Sequence, residues 1–184
     1  MKIIRTKFKG LLVIKNHSFK DVRGYFREMY LKKYFNKKIF SKDVFPFWCV
    51  SKSKKNVLRG MHLQKKKQQD KFVAVIKGKI LDVVVDLRRN SRTFGKYFSI
   101  RLSDQNSLSL FIPKGFAHGF VGLDKENIII YGMGNYRSKK DEIGILWKDK
   151  DLSINWPKRK FIISKKDKYN ITFKKFKNLR LNFK

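Results

Sequence analysis

The sequence predicts an all-β fold, an antiparallel sandwich or barrel. Three observations carry that expectation. Between residues 71 and 136, short β-branched or aromatic runs follow one another closely, with Gly, Asn, Asp and Pro between them. No amphipathic stretch of helical length separates those runs, which argues against strand–helix–strand units. Hydrophobic residues make up 42% of the 184 positions and include 17 phenylalanines, enough for a sizeable core and too many for a disordered chain.

The elements follow in order. The N-terminal third offers "GLLVI" (10–14) and "RGYFREMY" (23–30) as strands, then a short helix over 31–43. In "KFVAVIKGKILDVVVDLRRN" (71–90), two β-branched runs flank a tight turn at Lys77-Gly78-Lys79. Along the second run, Leu81, Val83, Val85 and Leu87 share one parity. Ile80, Asp82, Val84 and Asp86 share the other, a mixed face suited to a wetter cavity. Four more strand-like segments follow: "FGKYFSIRL" (94–102), "SLSLFIP" (107–113), "GFAHGFVGL" (115–123) and "NIIIYGMGNY" (127–136). From about residue 148, "KDKDLSINWPKRK" is rich in turn residues, and Pro157 interrupts regular structure. With no linker, repeat or low-complexity boundary, residues 1–184 read as one domain. Sheet edges need cover. Pairing of two copies supplies it, so a homodimer is expected.

Charge narrows the partners. Lys and Arg number 46 against 14 Asp and Glu, a formal charge of +32. The lysines are spread along the whole chain, and no zinc-finger spacing or basic helical stripe organises them for nucleic acid. Most of them read as solvated surface, and nucleic acid is not an expected partner. The field they create does favour an anionic ligand such as one bearing phosphates. A lone cysteine, Cys49, excludes an intrachain disulfide and a thiolate cluster built from this chain. The first twenty residues contain no long apolar stretch, and nothing approaches the length of a membrane span. No signal peptide and no membrane are expected, and the cytoplasm is the default location.

Candidate chemistry centres on three histidines, His17, His62 and His118, which show no metal-ligand spacing. No metal is expected. Alone, His62 reads equally as a structural histidine near a strand start and as a base working near neutrality. Arg59 and Lys71 lie close to it in sequence; a guanidinium suits phosphate, and an ammonium suits a developing oxyanion. His118 sits in "PKGFAHGF", where glycines permit close backbone approach, and a buried structural histidine fits as well. Tyr131 ends an apolar run as either a cavity phenol or a packed sheet residue. Asp167, an isolated acid among lysines, is either a histidine's carboxylate partner or a member of surface pairs of little energetic value.

Six segments in order resemble the dTDP-4-dehydrorhamnose 3,5-epimerase family: "DVRGYFRE" (21–28), "NVLRGMHLQ" (56–64), "GKILDVVVDLRRNSRTFGKY" (78–97), "FIPKGFAHGF" (111–120), "IIIYGMGNY" (128–136) and "DLSINWP" (151–157). The resemblance implies a cupin-type jelly-roll with short peripheral helices, a homodimer, and no cofactor. It implies inversion of C3, C5 or both beside the C4 ketone of a nucleotide-linked 4-keto-6-deoxy sugar, in deoxy-sugar synthesis for surface polysaccharide or capsule. By motif, His62 takes the place of the general base, Asp167 of its carboxylate partner, Tyr131 of the acid and Lys71 of the catalytic lysine. Arg59 falls on a position near phosphate. Arg23, Phe26 and Glu28 fall in the nucleotide-sugar contact segment, and His118 on a pocket position.

Four positions depart from the family pattern. Phe47 and Cys49 stand where polar Gln and Asn are usual, Gly132 where lysine is common, and Ala74 where arginine often occurs. Read as pocket residues, they admit a GDP-linked deoxyheptose as an alternative substrate. Two further readings stay beside the epimerase: a keto-sugar isomerase or dehydratase of the same fold, and a noncatalytic module binding a sugar nucleotide or nucleic acid.

Overall fold

The computed structural model describes residues 1–31, 33, 45–179, 181 and 183. The helix expected over 31–43 therefore lies outside the described residues, apart from Leu31 and Lys33. In chain order the first strands are β1 (Lys2–Arg5), β2 (Leu12–Lys15), β3 (His17–Asp21), β4 (Gly24–Glu28), β5 (Phe47–Lys54), β6 (Val57–Gln64) and β7 (Lys71–Lys77). There follow β8 (Lys79–Asp86), β9 (Tyr97–Ser103), β10 (Leu108–Ile112), β11 (Phe116–Gly122), β12 (Glu126–Met133), β13 (Glu142–Gly144) and β14 (Ile162–Ile163). Two short helices, α1 (Lys165–Lys168) and α2 (Phe173–Asn178), come last.

These strands build two six-stranded sheets and a separate hairpin. One sheet runs β1-β2-β10-β7-β12-β5; the other runs β13-β6-β11-β8-β9, with β14 parallel to β6. The hairpin β3–β4 forms its own two-stranded sheet. The turn expected at Lys77-Gly78-Lys79 is present, with Gly78 at φ +83°. It does not make a hairpin: β7 and β8 pass into opposite sheets, so the turn is a corner of a jelly-roll barrel.

Alternation along the strands explains the layers. Val13, Val73, Val75, Leu110, Ile129 and Tyr131 from the first sheet meet Ile80, Val84, Leu102, Phe116 and Phe120 from the second in the central core. Opposite parities face outward. Val83, Val85 and Leu87 pack under Ile145, Leu152, Trp156, Phe173 and Phe176 of the C-terminal third. Leu12, Ile14, Phe72, Ala74 and Phe111 pack under Met1, Phe45 and the chain around Tyr30. The central strands of both sheets are thus covered on both faces, which is why they read as nearly continuous apolar runs.

One irregularity interrupts the ladder of the second sheet. On β6 and β11, His62 pairs with His118, while Arg59 pairs with Phe120, so β6 carries one extra residue between them. Gly60 sits in this bulge at φ +116°, and a Cβ there would lie 2.6 Å from the Cα of Gly119. Only glycine fits.

Candidate active site

A cavity of about 660 Å³ opens between the two sheets, a size typical of small-molecule sites. Its first wall comes from alternate residues of β5 and β12: Phe47, Cys49 and Ser51 from one, Tyr131 and Met133 from the other. Its second wall comes from β6 and β11, with Arg59, His62, Gln64 and His118. In a regular strand Arg59 and His62, three residues apart, face opposite ways; the bulge at Gly60 brings both to the cavity.

His62 and Asp167 meet across 105 residues of chain, Nε2 to Oδ1, at 2.5 Å. The other carboxylate oxygen accepts the Gly60 N–H at 3.2 Å. The Asp167 backbone N–H donates to Ser164 Oγ at 3.1 Å, which fixes the start of α1. Burial alone pushes the Asp167 carboxyl up, but the hydrogen bond and charge of His62, with the Gly60 N–H, hold it below the usual carboxylate value. With Nε2–H donating to the carboxylate, Nδ1 keeps the lone pair. That is the arrangement of an oriented base.

Tyr131 projects from the opposite sheet. It is 8% exposed, and its hydroxyl lies 3.0 Å from Ser51 Oγ. Burial pushes the phenol above its ordinary value, an effect that the Ser51 hydrogen bond partly offsets and the Asp82 charge reinforces. Tyr131 therefore holds its proton at neutral pH. Lys71 is buried at 8% exposure and donates to the His62 carbonyl at 3.4 Å. Burial pulls its ammonium down to about 8, opposed by the charges of Glu142, Asp82 and Cys49. It remains a cation at pH 7.

His118 contributes a second histidine–carboxylate pair. Its Nε2 lies 2.8 Å from Oδ2 of Asp82, which is fully buried, and its ring faces that of Tyr131 at 6.3 Å between centroids. Among the described residues the other Asp82 oxygen has no hydrogen-bond partner, an arrangement that costs about 1–3 kcal/mol. Near the cavity rim, Glu142 is shared by Arg137, at 2.8 and 3.0 Å, and by Lys166. Burial pushes the Glu142 carboxyl up, and these two partners outweigh it and hold it low. The thiol of Cys49 is pushed up by burial, with Lys71 and Arg137 opposing.

Of the residues expected from sequence, His62, Asp167, Tyr131, Lys71, Arg59 and His118 all line this cavity. Arg59 is held there by Ser53 Oγ at 3.0 Å and the Lys52 carbonyl at 3.1 Å. Arg23, Phe26 and Glu28 do not line it. They sit on the β3–β4 hairpin, where Arg23 pairs with Asp21 at 2.5 Å, Phe26 is 68% exposed and Glu28 faces His17 at 3.6 Å.

Two of the four departures prove not to be pocket residues of this chain. Gly132 lies between the inward-facing Tyr131 and Met133 and faces outward, where a Cβ would meet Phe45 at 2.9 Å and Trp48 at 3.0 Å. Ala74 packs in the same outer cluster. Phe47 and Cys49 do line the cavity. Sequence reasoning left Ser51, Asp82 and Glu142 unassigned. The first two sit on strand parities that point inward, a legible signal; Glu142 lies beyond a loop, where alternation gives none.

Among the described residues, no three His, Cys, Asp or Glu side chains group as metal ligands, and no helix is long and apolar enough to cross a membrane. The family model for dTDP-4-dehydrorhamnose 3,5-epimerase matches residues 5–175. The dTDP-4-dehydrorhamnose 3,5-epimerase of Shigella flexneri is 41% identical over 168 residues, 91% of this chain and 93% of the relative. The crystal structure of the Elizabethkingia anophelis enzyme of that name superposes with a TM-score of 0.88 at 41% identity, covering 95% of this chain and 97% of the other. A dTDP-6-deoxy-D-glucose-3,5-epimerase from Legionella pneumophila, in complex with dTDP-4-keto-L-rhamnose, superposes with a TM-score of 0.92 at 33% identity, covering 98% and 97%. With the fold and nearly the whole sequence matched, the chain belongs to the dTDP-4-dehydrorhamnose 3,5-epimerase family.

Proposed function

We propose that this chain inverts C3 and C5 of a dTDP-linked 4-keto-6-deoxy sugar by removing and returning protons through an enolate. The observation that carries the reading is the pair His62–Asp167 facing Tyr131 from the opposite sheet across one cavity. A ring hydrogen beside the C4 ketone is removable because the carbonyl oxygen takes the resulting charge. His62 Nδ1 accepts that proton from one face of the ring while Asp167 stabilises the imidazolium. Lys71 supplies a cation to the enolate oxygen in a poorly solvated site. Tyr131 delivers a proton to the same carbon from the other face, and the centre is inverted. Hydrogen leaves and returns as a proton, so the reaction closes without an electron carrier.

Heavy water tests this directly. Wild-type protein given dTDP-6-deoxy-D-xylo-4-hexulose is expected to place deuterium at C3 and C5. His62→Ala is expected to lose about 10²-fold or more of the exchange, whereas Tyr131→Phe keeps exchange but yields little inverted sugar. No exchange in the wild type, or full turnover by both variants, refutes the assignment. Product identity separates epimerisation from keto-sugar isomerisation or dehydration, which start with the same proton removal. A GDP-linked deoxyheptose in the same assay tests the alternative substrate. Unchanged ligand binding by a His62→Ala protein whose wild type is inert is the outcome that a noncatalytic module predicts.

The homodimer belongs to the same proposal, as do a single domain, a cytoplasmic location and a role in surface polysaccharide synthesis. Exposed Phe19, Tyr25 and Phe26 on the hairpin, and Trp48 and Val50 on the edge strand β5, are apolar surfaces that a second copy covers. Arg23, Phe26 and Glu28 then reach the cavity of the partner copy. Mixing Arg23→Ala protein with His62→Ala protein, each impaired alone, restores one intact site per mixed dimer if the hairpin acts in trans. Without restored activity after confirmed subunit exchange, the hairpin does not complete the partner's site.

A further inference from the structure

Two inversions in succession pose a problem of protons that the acid and base alone leave open. After the first, His62 holds a proton and Tyr131 has lost one. The second inversion needs both groups reset. Ser51 is the one hydrogen-bond partner of the Tyr131 phenol among the described residues, at 3.0 Å. The strand register explains the contact: Tyr131 pairs with Cys49 and Ser51 with Ile129, so the long phenol reaches the diagonal neighbour on the same inward face. Ser51 is half-buried and lines the cavity, whereas Tyr131 is almost enclosed.

We propose that Ser51 carries the proton that recharges Tyr131 between the two inversions. In the delivery step the phenol O–H bond breaks, a C–H bond forms at the sugar carbon, and the electron pair stays on the tyrosine oxygen. The Ser51 hydroxyl then passes its proton to that phenolate and takes one from a solvent water in the cavity. The same water receives the proton held by the His62 imidazolium. The sum is transfer of one proton from imidazolium to phenolate, with serine and water unchanged. Burial makes the phenolate a strong base, so the transfer runs downhill once a path exists. Ser51 is a positioning residue in this scheme; it touches the acid and leaves the sugar to Tyr131 and His62.

The inference rests on Tyr131 being the acid, and the test keeps the two claims apart. Ser51→Ala and Ser51→Thr proteins, full length, are given dTDP-6-deoxy-D-xylo-4-hexulose in ordinary and heavy water. NMR then counts singly and doubly inverted sugar over time. For Ser51→Ala the first inversion is expected within about threefold of wild type, with the ratio of doubly to singly inverted product falling about tenfold. The solvent isotope effect on the second inversion is expected to rise, and the threonine hydroxyl to restore the ratio. A loss of fold lowers both inversions together and leaves the product ratio alone. In that case Ser51→Cys, close in shape but with a weaker hydrogen-bonding S–H, supplies the ratio. An unchanged product ratio in Ser51→Ala, or in Ser51→Cys where the alanine protein does not fold, overturns the relay while leaving Tyr131 as the acid. Exchange without inversion in the wild type overturns the acid assignment itself.

Discussion

Changing Asp167 to Asn removes a charge while preserving shape, and the structure fixes how the amide must sit. The Gly60 N–H can only donate, so it claims the asparagine carbonyl in place of the carboxylate oxygen it meets now at 3.2 Å. The amide NH2 then faces His62 Nε2, where the carboxylate now stands 2.5 Å away. Two donors face each other unless the imidazole moves its proton to Nδ1, and that move takes away the lone pair that abstracts the sugar proton. General-base catalysis is worth about 10²–10⁴-fold, and a carboxylate-to-amide change beside a catalytic histidine forfeits most of it through the wrong tautomer. We expect the exchange rate at saturating substrate to fall about 10³-fold, roughly 4 kcal/mol of transition-state stabilisation. KM is expected to stay within about threefold, because the change lies behind the base. The assay is NMR of C–H loss in heavy water, with His62→Ala as the floor. An Asp167→Asn protein exchanging within tenfold of wild type, while His62→Ala loses a hundredfold or more, refutes the oriented-base reading.

Lys71→Met is expected to abolish turnover yet raise stability at pH 7. The drop of its ammonium from 10.5 to about 8 corresponds to roughly 3 kcal/mol of unfavourable charge burial, an upper figure readable by chemical denaturation. Because the folded value lies below the unfolded one, this penalty is full below pH 8 and fades as pH rises toward 10.5, so wild-type stability relative to Lys71→Met should improve over that window; a flat difference counts against the burial cause. Turnover should likewise decline as pH rises through about 8 and Lys71 loses its charge. Gly60→Ala is expected to lose activity together with stability, by about 2 kcal/mol or more in denaturant melts, since a Cβ has only backbone to displace; wild-type behaviour removes the bulge from the account of the site. At the acid end, Asp86 is pushed up by burial but held lower by Arg88, Ser91 and Thr93, and Asp167 is also held low. Their stabilisation is present above the ordinary value of 3.8 and is lost as pH falls through their folded values, so an Asp86→Asn protein should show a shallower acid unfolding limb.

The sheet and the cavity differ in how far sequence reveals them. Alternation in 80–87 separated an apolar parity from a mixed one, and the mixed one carries Asp82 to His118 inside the barrel. Asp86, on that same parity, instead caps the loop through Ser91 and Thr93 beyond the strand end. Periodicity assigns a side to a residue but not a depth. The jelly-roll also required knowing that β7 and β8 part at Gly78 into opposite sheets, a consequence of three-dimensional closure that a local turn signal does not encode. The motif likeness led to the contact of His62 with Asp167 over 105 residues, which spacing alone does not give. The same likeness misled at Gly132 and Ala74, where one step of alternation turns a pocket position outward. Arg23, Phe26 and Glu28 mark a different limit. The likeness put them at a nucleotide sugar, whereas the β3–β4 hairpin holds them away from this chain's own cavity.

The charge distribution links the site to the rest of the molecule. With 46 cations and only 14 acids, random placement would leave the cavity overwhelmingly positive. Instead Asp82, Glu142 and Asp167 are gathered around it, each engaged with a histidine or with paired cations. Local neutralisation serves proton chemistry: a base flanked by unopposed cations would resist taking a second positive charge, and a carboxylate behind it removes that resistance. Attraction of an anionic nucleotide sugar then falls to the surrounding lysines, whose summed field reaches across a Debye length of about 8 Å. The two tasks pull in opposite electrostatic directions. Gathering Asp82, Glu142 and Asp167 around the cavity cations Arg59, Lys71, Arg137 and Lys166, with the lysine excess outside, lets one small barrel do both.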